Sequence, residues 1–155
     1  MVDMDMARAV RAGLLLRAER FEDSHSICQE IKSREGSYWH GILHRREPDA
    51  PNARYWFQRV GSHPILETLA APPRGSLVVA QEALQWVAPH GRWDLLRFVD
   101  LCVAVALEGK DSPTVGGPDP TVEQLEELQE WELRSLLGHC FLGALRTPGR
   151  LKRFS

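Results

Sequence analysis

Apolar side chains recur every three or four residues along most of this chain, and that spacing is typical of amphipathic helices. In the first segment, for example, Ala7, Val10, Leu14 and Ala18 share one helical face. The same period predicts helices over residues 4–19, 24–32, 37–47, 53–60, 77–87, 93–108 and 121–145. The pattern over 77–87 is weak, so six or seven helices are expected.

Proline and glycine mark the ends of several predicted helices. Pro48 ends the third helix, because a residue that precedes a proline is pushed out of the helical region. Gly61 ends the fourth helix, and Asp119 or Thr121 caps the last one. The stretch 109–119 is rich in glycine and proline and is therefore predicted to be a loop.

The fold class predicted from these elements is all-α. No segment shows a credible strand pattern, and 155 residues favour one domain with a real core. We expect a single compact helical domain over residues 1–146, bundle-like and with a loop-rich middle. Residues 147–155 are basic and are expected to form a frayed tail.

Composition fits a globular chain and narrows the range of partners. Charged residues make up 26% and hydrophobic residues 43% of the chain, as in folded domains. A net charge of −2 provides no basic field, so no nucleic-acid partner is expected. The longest apolar run, 101–107, is too short to span a bilayer, so no membrane partner is expected. Three cysteines without C-x-x-C spacing favour reduced thiols and a cytoplasmic location.

The third predicted helix carries a candidate metal site. At about 100° per residue, His40, His44 and Glu47 lie on one narrow face, at positions i, i+4 and i+7. Two imidazoles one turn apart can bind the same ion, and a carboxylate one turn further can complete or orient the set. The alternative is a solvated polar face, with Tyr38 and Trp39 turned towards the core.

Further metal-ligand candidates lie on the last predicted helix. Glu132 and His139 fall in the middle of its apolar stripe, and a buried carboxylate needs a partner or an ion. Helix bundles build metal sites from inward Glu and His residues of facing helices, and His25 is an outer candidate. Iron or zinc would suit such mixed ligands. The alternative is a buried hydrogen-bond network without metal, in which Glu132 pairs with Arg45, Arg46 or Arg59.

Aromatic and basic residues of the same central stretch support a second interpretation, a pocket for a small anionic or planar ligand. Aromatic rings offer flat apolar faces, and arginine offers a forked donor suited to carboxylate or phosphate. The candidate ligand-binding residues are Trp39, Arg45, Arg46, Asp49, Asn52, Tyr55, Trp56, Arg59 and His63. The alternative is that the tryptophans belong to the core and the arginines pair with nearby acidic residues.

Four segments form one long pattern: D-S-H at 23–25, E-G-S-Y-W-H-G-I-L-H-R-R-E-P-D at 35–49, N-A-R-Y-W-F at 52–57 and R-V-G-S-H-P at 59–64. This pattern, which spans less than a third of the chain, resembles that of a family of short proteins from bacteria and fungi. The resemblance implies a shared site but no particular chemistry. It groups His25, His40, His44, Glu47, Asp49, Asn52, Arg59 and His63. Gln58 stands where the pattern has arginine.

Two functions from different classes are consistent with these features. One is a small metal-dependent protein, and an enzyme of this kind would use a metal-activated water or oxygen. The other is a non-catalytic helical ligand-binding or scaffold protein whose polar cluster is a structural hydrogen-bond network. The chain has no G-x-S-x-G, P-loop, dinucleotide-binding or H-E-x-x-H pattern, which argues against the commonest hydrolases, nucleotide enzymes and zinc proteases. A homodimer paired through the last helix is a further expectation.

Overall fold

The computed structural model describes residues 3–108 and 120–146. Eight α-helices occur in these ranges: α1 Met4–Arg17, α2 Phe21–Cys28, α3 Arg34–Arg46, α4 Ala50–Val60, α5 Ile65–Ala70, α6 Leu84–Val87, α7 Leu95–Glu108 and α8 Val122–Leu145. No β-strand occurs in the two ranges, so the predicted all-α fold class is confirmed. The predicted loop at 109–119 and the predicted tail at 147–155 lie outside the described residues.

The central helix of the fold is α3. It contacts α1, α2, α4 and α7, and every residue from Glu35 to Arg45 is buried. His40 and His44 therefore do not lie on a polar face in water, which was one alternative for this helix. Because burial removes water as a partner, the polar side chains of α3 must be satisfied by other protein groups or by an ion.

Two glycines allow α3 to approach its neighbours closely. A Cβ atom on Gly13 of α1 would lie 2.4 Å from the Trp39 ring, and one on Gly41 of α3 would lie 2.5 Å from the Phe57 ring. Both distances are well below van der Waals contact, so a larger residue fits only if a buried ring moves. The close contact of α3 with α4 places Trp56, the residue before Phe57, against the ring of His40.

The segment before α6 differs from the prediction. A helix was expected over 77–87, but only Leu84–Val87 is helical. The backbone amides of Val78 and Val79 donate instead to the Glu127 carboxylate on α8. These bonds fix the non-helical segment before α6 against α8.

A short helix that the sequence pattern did not predict, α5, follows Pro64. It has six residues and buries three aliphatic side chains, which pack towards α8. Six residues are too few to show a clear helical period, which explains why the pattern missed this element.

The longest helix, α8, has 24 residues and packs along α1 and against α5. Thr121, one of the two predicted caps, forms a capping box with Gln124 at its N-terminus. Among the described residues, neither α8 nor any other helix is long and apolar enough to cross a membrane. The buried face of α8 places Glu132 and His139 against different parts of α3.

Candidate functional site

Three histidines from two helices meet where α2 packs against α3. His25 lies on α2, and His40 and His44 lie one turn apart on α3. Each ring offers one ligand atom, and these three atoms lie within 4.8 Å of one another. The His40 and His44 rings are parallel, with centroids 5.7 Å apart, and His25 meets them in T-shaped geometry at 4.7 and 5.6 Å. We call these three residues the histidine cluster.

Neither ring nitrogen of His40 has a hydrogen-bond partner in the described part of the chain. The residue is only 1% exposed, and its ring stacks on the Trp56 indole, with centroids 3.9 Å apart. A buried polar group without a partner costs about 1–3 kcal/mol. Burial, with His25 and His44 nearby, lowers the pKa of His40 to about 4. The ring is therefore neutral near pH 7 and has a lone pair available for an ion.

Hydrogen bonds orient the other two rings of the histidine cluster. Nδ1 of His44 donates to Oε2 of Glu47 over 3.0 Å. A carboxylate on one nitrogen fixes the tautomer of an imidazole and leaves the other nitrogen as a more basic ligand. His25 has its own partner, because its Nδ1 lies 3.2 Å from the side-chain nitrogen of Gln29. In this arrangement Glu47 is placed to orient His44.

A pocket of about 400 Å³ opens beside the histidine cluster. Its lining residues are Phe21, Glu22, His25, Ser26, His44 and Glu47. His25 and His44 therefore reach the pocket, whereas His40 is buried and does not line it. The side of the cluster formed by His25 and His44 thus faces a space that water or a small molecule can enter.

The donor set of the histidine cluster fits a transition metal. Zinc binds histidine nitrogen at about 2.0–2.1 Å, so two nitrogens of a tetrahedral site lie about 3.3 Å apart. Because the cluster atoms lie within 4.8 Å of one another, the rings need to approach by roughly 1.5 Å at most. Neutral imidazole suits zinc, copper and iron, whereas magnesium and calcium prefer oxygen ligands.

His44 also belongs to a second group of potential ligands, with Glu47 and Asp49. Both Asp49 oxygens already accept hydrogen bonds from Asn52, one from the backbone nitrogen at 3.3 Å and one from the side-chain nitrogen at 2.7 Å. Asp49 thereby caps α4, which begins at Ala50, three residues before the predicted start. Asp49 and Asn52, both predicted to bind a ligand, thus form a helix cap.

Glu132 lies in a separate buried cluster with Arg45. Both side chains are 0% exposed, and Nη2 of Arg45 donates to Oε1 of Glu132 over 2.6 Å. Oε2 of Glu132 accepts from the Tyr38 hydroxyl at 3.0 Å and from the Trp93 indole nitrogen at 2.9 Å. Burial, together with the charge of Glu132, raises the pKa of Tyr38 well above its usual value. The carboxylate is satisfied without an ion, through one of the arginines proposed from the sequence.

His139 lies in a third cluster, with Glu35 and His63. Nε2 of His63 and Nε2 of His139 lie 3.0 and 3.1 Å from the same oxygen of Glu35. Because Nδ1 of His63 accepts from the Ile65 amide at 3.2 Å, a neutral His63 carries its proton on Nε2 and donates it to Glu35. The bonds from His139 and His63 hold the pKa of Glu35 far below its usual value. Although the three side chains lie within ligand distance, Glu35 and His63 are satisfied by hydrogen bonds.

Glu35 is the residue of the third cluster that sequence reasoning missed. It lies in the first turn of α3, where an acidic residue is ordinary because it favours the positive end of the helix dipole. Its partners lie 28 and 104 residues away, so no local pattern connects them. The sequence feature that could have indicated a role for Glu35 is its position at the start of the E-G-S-Y-W-H segment.

The structure therefore divides the predicted metal ligands among three clusters. His25, His40 and His44 come together with Glu47 beside them, but Glu132 and His139 do not face the same site. The reason is the helical period of α3: Tyr38 and Arg45, which bind Glu132, are seven residues apart and share one face. His40 lies about 200° further round the helix from Tyr38. Neither Glu132 nor His139 therefore joins the histidines of α3, although His139 of α8 lies within ligand distance of Glu35 at the other end of α3.

The residues predicted to bind a ligand do not surround one pocket. Trp39 is buried in the core, and Arg46 donates to the Leu16 carbonyl at 3.0 Å. Tyr55 and Arg59 are exposed on α4, with the guanidinium 3.5 Å from the hydroxyl. None of the nine lines either the pocket at the histidine cluster or a second pocket of about 590 Å³ between α4 and α7.

No protein-family model, curated protein or solved structure matches the chain. Its function is therefore inferred from its own residues. The histidine cluster differs from the other two clusters because both nitrogens of one buried ring lack a partner in the part of the chain that the structure describes. Nη1 of Arg45 also has no partner there, but that group is a donor and cannot bind a cation.

Proposed function

We propose that this protein binds a divalent transition-metal ion through His25, His40 and His44, and that the ion makes it a small metal-dependent enzyme. The observation that carries the proposal is His40, a buried neutral ring that has no hydrogen-bond partner among the described residues and lies within ligand distance of two more imidazoles. An ion would accept its lone pair and turn an unfavourable buried group into a stabilising contact.

Zinc is the ion that these donors favour. Three histidines and one open position match catalytic zinc sites, where the fourth ligand is water or substrate. Non-haem iron sites more often use two histidines and one carboxylate, and the nearby carboxylate of Glu47 is engaged with His44. If the Gln29 amide turns by about 180°, its oxygen accepts from Nδ1 of His25, and Nε2 is left for the ion.

The chemistry that such a site supports best is the hydrolysis or hydration of a small molecule. A zinc ion with three histidine ligands lowers the pKa of its bound water to about 7. The 400 Å³ pocket beside the rings lies within the range of small-molecule sites, about 300–1,000 Å³. Both features point to a reaction in which an activated water attacks a compact substrate.

Elemental analysis of tag-free protein, purified without chelators, tests the metal site. The expected result is about one equivalent of zinc, retained in the wild type and lost in His44→Ala, with helix content nearly unchanged by circular dichroism. His90→Ala is the matched control, because His90 is exposed and lies outside the cluster. Full metal retention in His44→Ala would overturn the ligand assignment.

Metal binding should also raise thermal stability. At a free zinc concentration about 100 times the dissociation constant, linkage adds about 2.7 kcal/mol to the free energy of unfolding. For a domain of this size that is a rise in Tm of about 5–10 °C. Calcium at the same concentration is the control and should have no effect. A wild-type Tm that zinc, cobalt and iron all leave unchanged would refute the proposed metal site.

A second candidate function is a non-catalytic helical binding or scaffold protein. The observation that favours it is that hydrogen bonds alone satisfy the Glu132 and Glu35 carboxylates, as in a structural network. Under this function the metal-free protein is fully folded and no transition metal binds on titration. Elemental analysis and the zinc-dependent Tm therefore distinguish the two candidates.

A further inference from the structure

Two carboxylates line the pocket at the histidine cluster, and their surroundings differ. Oε2 of Glu47 accepts a hydrogen bond from His44. The Glu22 carboxylate makes no hydrogen bond or ion pair with any described residue. The Ser26 hydroxyl donates to the backbone carbonyl of Glu22 and not to its carboxylate. Glu22 precedes His25 by three residues on α2, so both side chains lie on the same face. The pocket thus contains one orienting carboxylate and one free carboxylate beside a candidate ligand.

We propose that Glu22 is the general base of a metal-assisted hydrolysis, an inference that rests on the proposed metal site. Glu22 takes a proton from a water molecule polarised by the ion, and the water oxygen bonds to the carbonyl carbon of the substrate. The bond from that carbon to the leaving oxygen or nitrogen then breaks, and the leaving group takes the proton from Glu22. One water is consumed, and one acid and one alcohol or amine are formed.

The charges at the pocket indicate the class of substrate, a small neutral ester or amide. Among the described residues, no lysine or arginine lines the pocket. A divalent ion and the carboxylates of Glu22 and Glu47 sum to no net charge, so no positive field attracts an anion. Arg46, whose guanidinium lies 5.1 Å from the centroid of Phe21, donates to a carbonyl of α1 and lies 3.6 Å from Glu19. Its guanidinium is thus engaged with α1 and Glu19, and Phe21 offers an apolar wall for an acyl group.

Hydrolysis of 4-nitrophenyl acetate by the zinc-loaded full chain tests this role, with 4-nitrophenyl phosphate as the anionic comparator. The expected result is acetate hydrolysis that is lost with a chelator and restored by zinc, and little phosphate hydrolysis. Glu22→Gln should lower the rate at saturating zinc by about 100-fold or more and leave zinc affinity unchanged. Glu47→Gln should instead weaken zinc binding by about 10–100-fold. Glu30→Gln, an exposed carboxylate beyond the end of α2, is the control and should change neither quantity.

The outcomes separate this inference from the metal site on which it rests. Stoichiometric zinc without ester hydrolysis, or an unchanged rate in Glu22→Gln, overturns the role of Glu22 and leaves the metal site standing. Faster hydrolysis of the phosphate than of the acetate overturns the neutral substrate class. A protein that binds no zinc overturns both proposals.

Discussion

Replacing Glu132 with glutamine is expected to lower the free energy of unfolding by about 3–5 kcal/mol, because the Arg45 charge stays buried without its counter-charge. Both side chains are 0% exposed, and their nearest charged atoms are 2.6 Å apart. Oε2 of Glu132 also accepts from Tyr38 and Trp93. Because the amide nitrogen of glutamine is a donor, it would face another donor at one of these positions.

The size of this loss can be compared with the whole stability of a domain, which is about 5–15 kcal/mol. Each buried donor left without an acceptor adds about 1–3 kcal/mol. Glutamine has nearly the same volume as glutamate, so the substitution opens no cavity. The measured loss therefore reports charge and hydrogen bonding and does not report packing.

Urea unfolding followed by circular dichroism measures the loss, and Glu130→Gln is the matched control. Glu130 lies on the same helix, two residues away, and its ion pair with Arg17 is also 2.6 Å long. The side chains of that pair are 42% and 52% exposed, and exposed pairs contribute at most about 1 kcal/mol. The two variants thus differ mainly in how deeply the altered side chain and its arginine partner are buried.

Equal losses in Glu132→Gln and Glu130→Gln would refute the reasoning, since Glu132 would then be as well solvated as Glu130. The double variant Arg45→Met/Glu132→Leu gives a second check. Removing both charges should lower the free energy of unfolding by less than the sum of the losses in Arg45→Met and Glu132→Leu, because no unpaired charge remains in the core. A cost equal to that sum would mean that the two side chains do not interact.

Two further predictions concern the packing and the pH dependence of the fold. Gly41→Ala should lower the free energy of unfolding by about 1–3 kcal/mol, because its methyl group would lie 2.5 Å from a buried ring. Gly138→Ala should raise it by about 0.5–1 kcal/mol, because no atom of the described residues lies within 4 Å of the added methyl group. Urea unfolding that changes the stability of both variants in the same direction would contradict the packing of α3 on α4. The pKa of Glu35 is held below its unfolded value of 4.5 by His139 and His63, so its stabilisation is fully present above pH 4.5 and is lost as the pH falls. The free energy of unfolding, measured from about pH 6 to pH 3, should fall less steeply in Glu35→Gln than in the wild type. Parallel curves for the two proteins would show that the pKa of Glu35 is not lowered in the folded state.

The sequence by itself determined most of the helices and the neighbours within each helix. A spacing of four residues places His40 and His44 on one face wherever the helix lies, because adjacent turns bring such residues together. The apolar stripe of the last helix also showed that Glu132 would be buried and would need a partner. These inferences were sound because each depends only on the period of a single helix.

Only the tertiary structure decided which distant residues meet. Arg45 and Glu132 are 87 residues apart, and nothing in either local pattern chooses Arg45 over the other arginines. His25 joins the histidines of α3 because α2 packs on that helix, while α8 meets the opposite side and brings Glu132 to Arg45. Periodicity describes one helix at a time, whereas the packing of large rings and glycines from several helices sets their relative positions. That packing buried α3 on all sides and divided its polar residues among separate interior clusters.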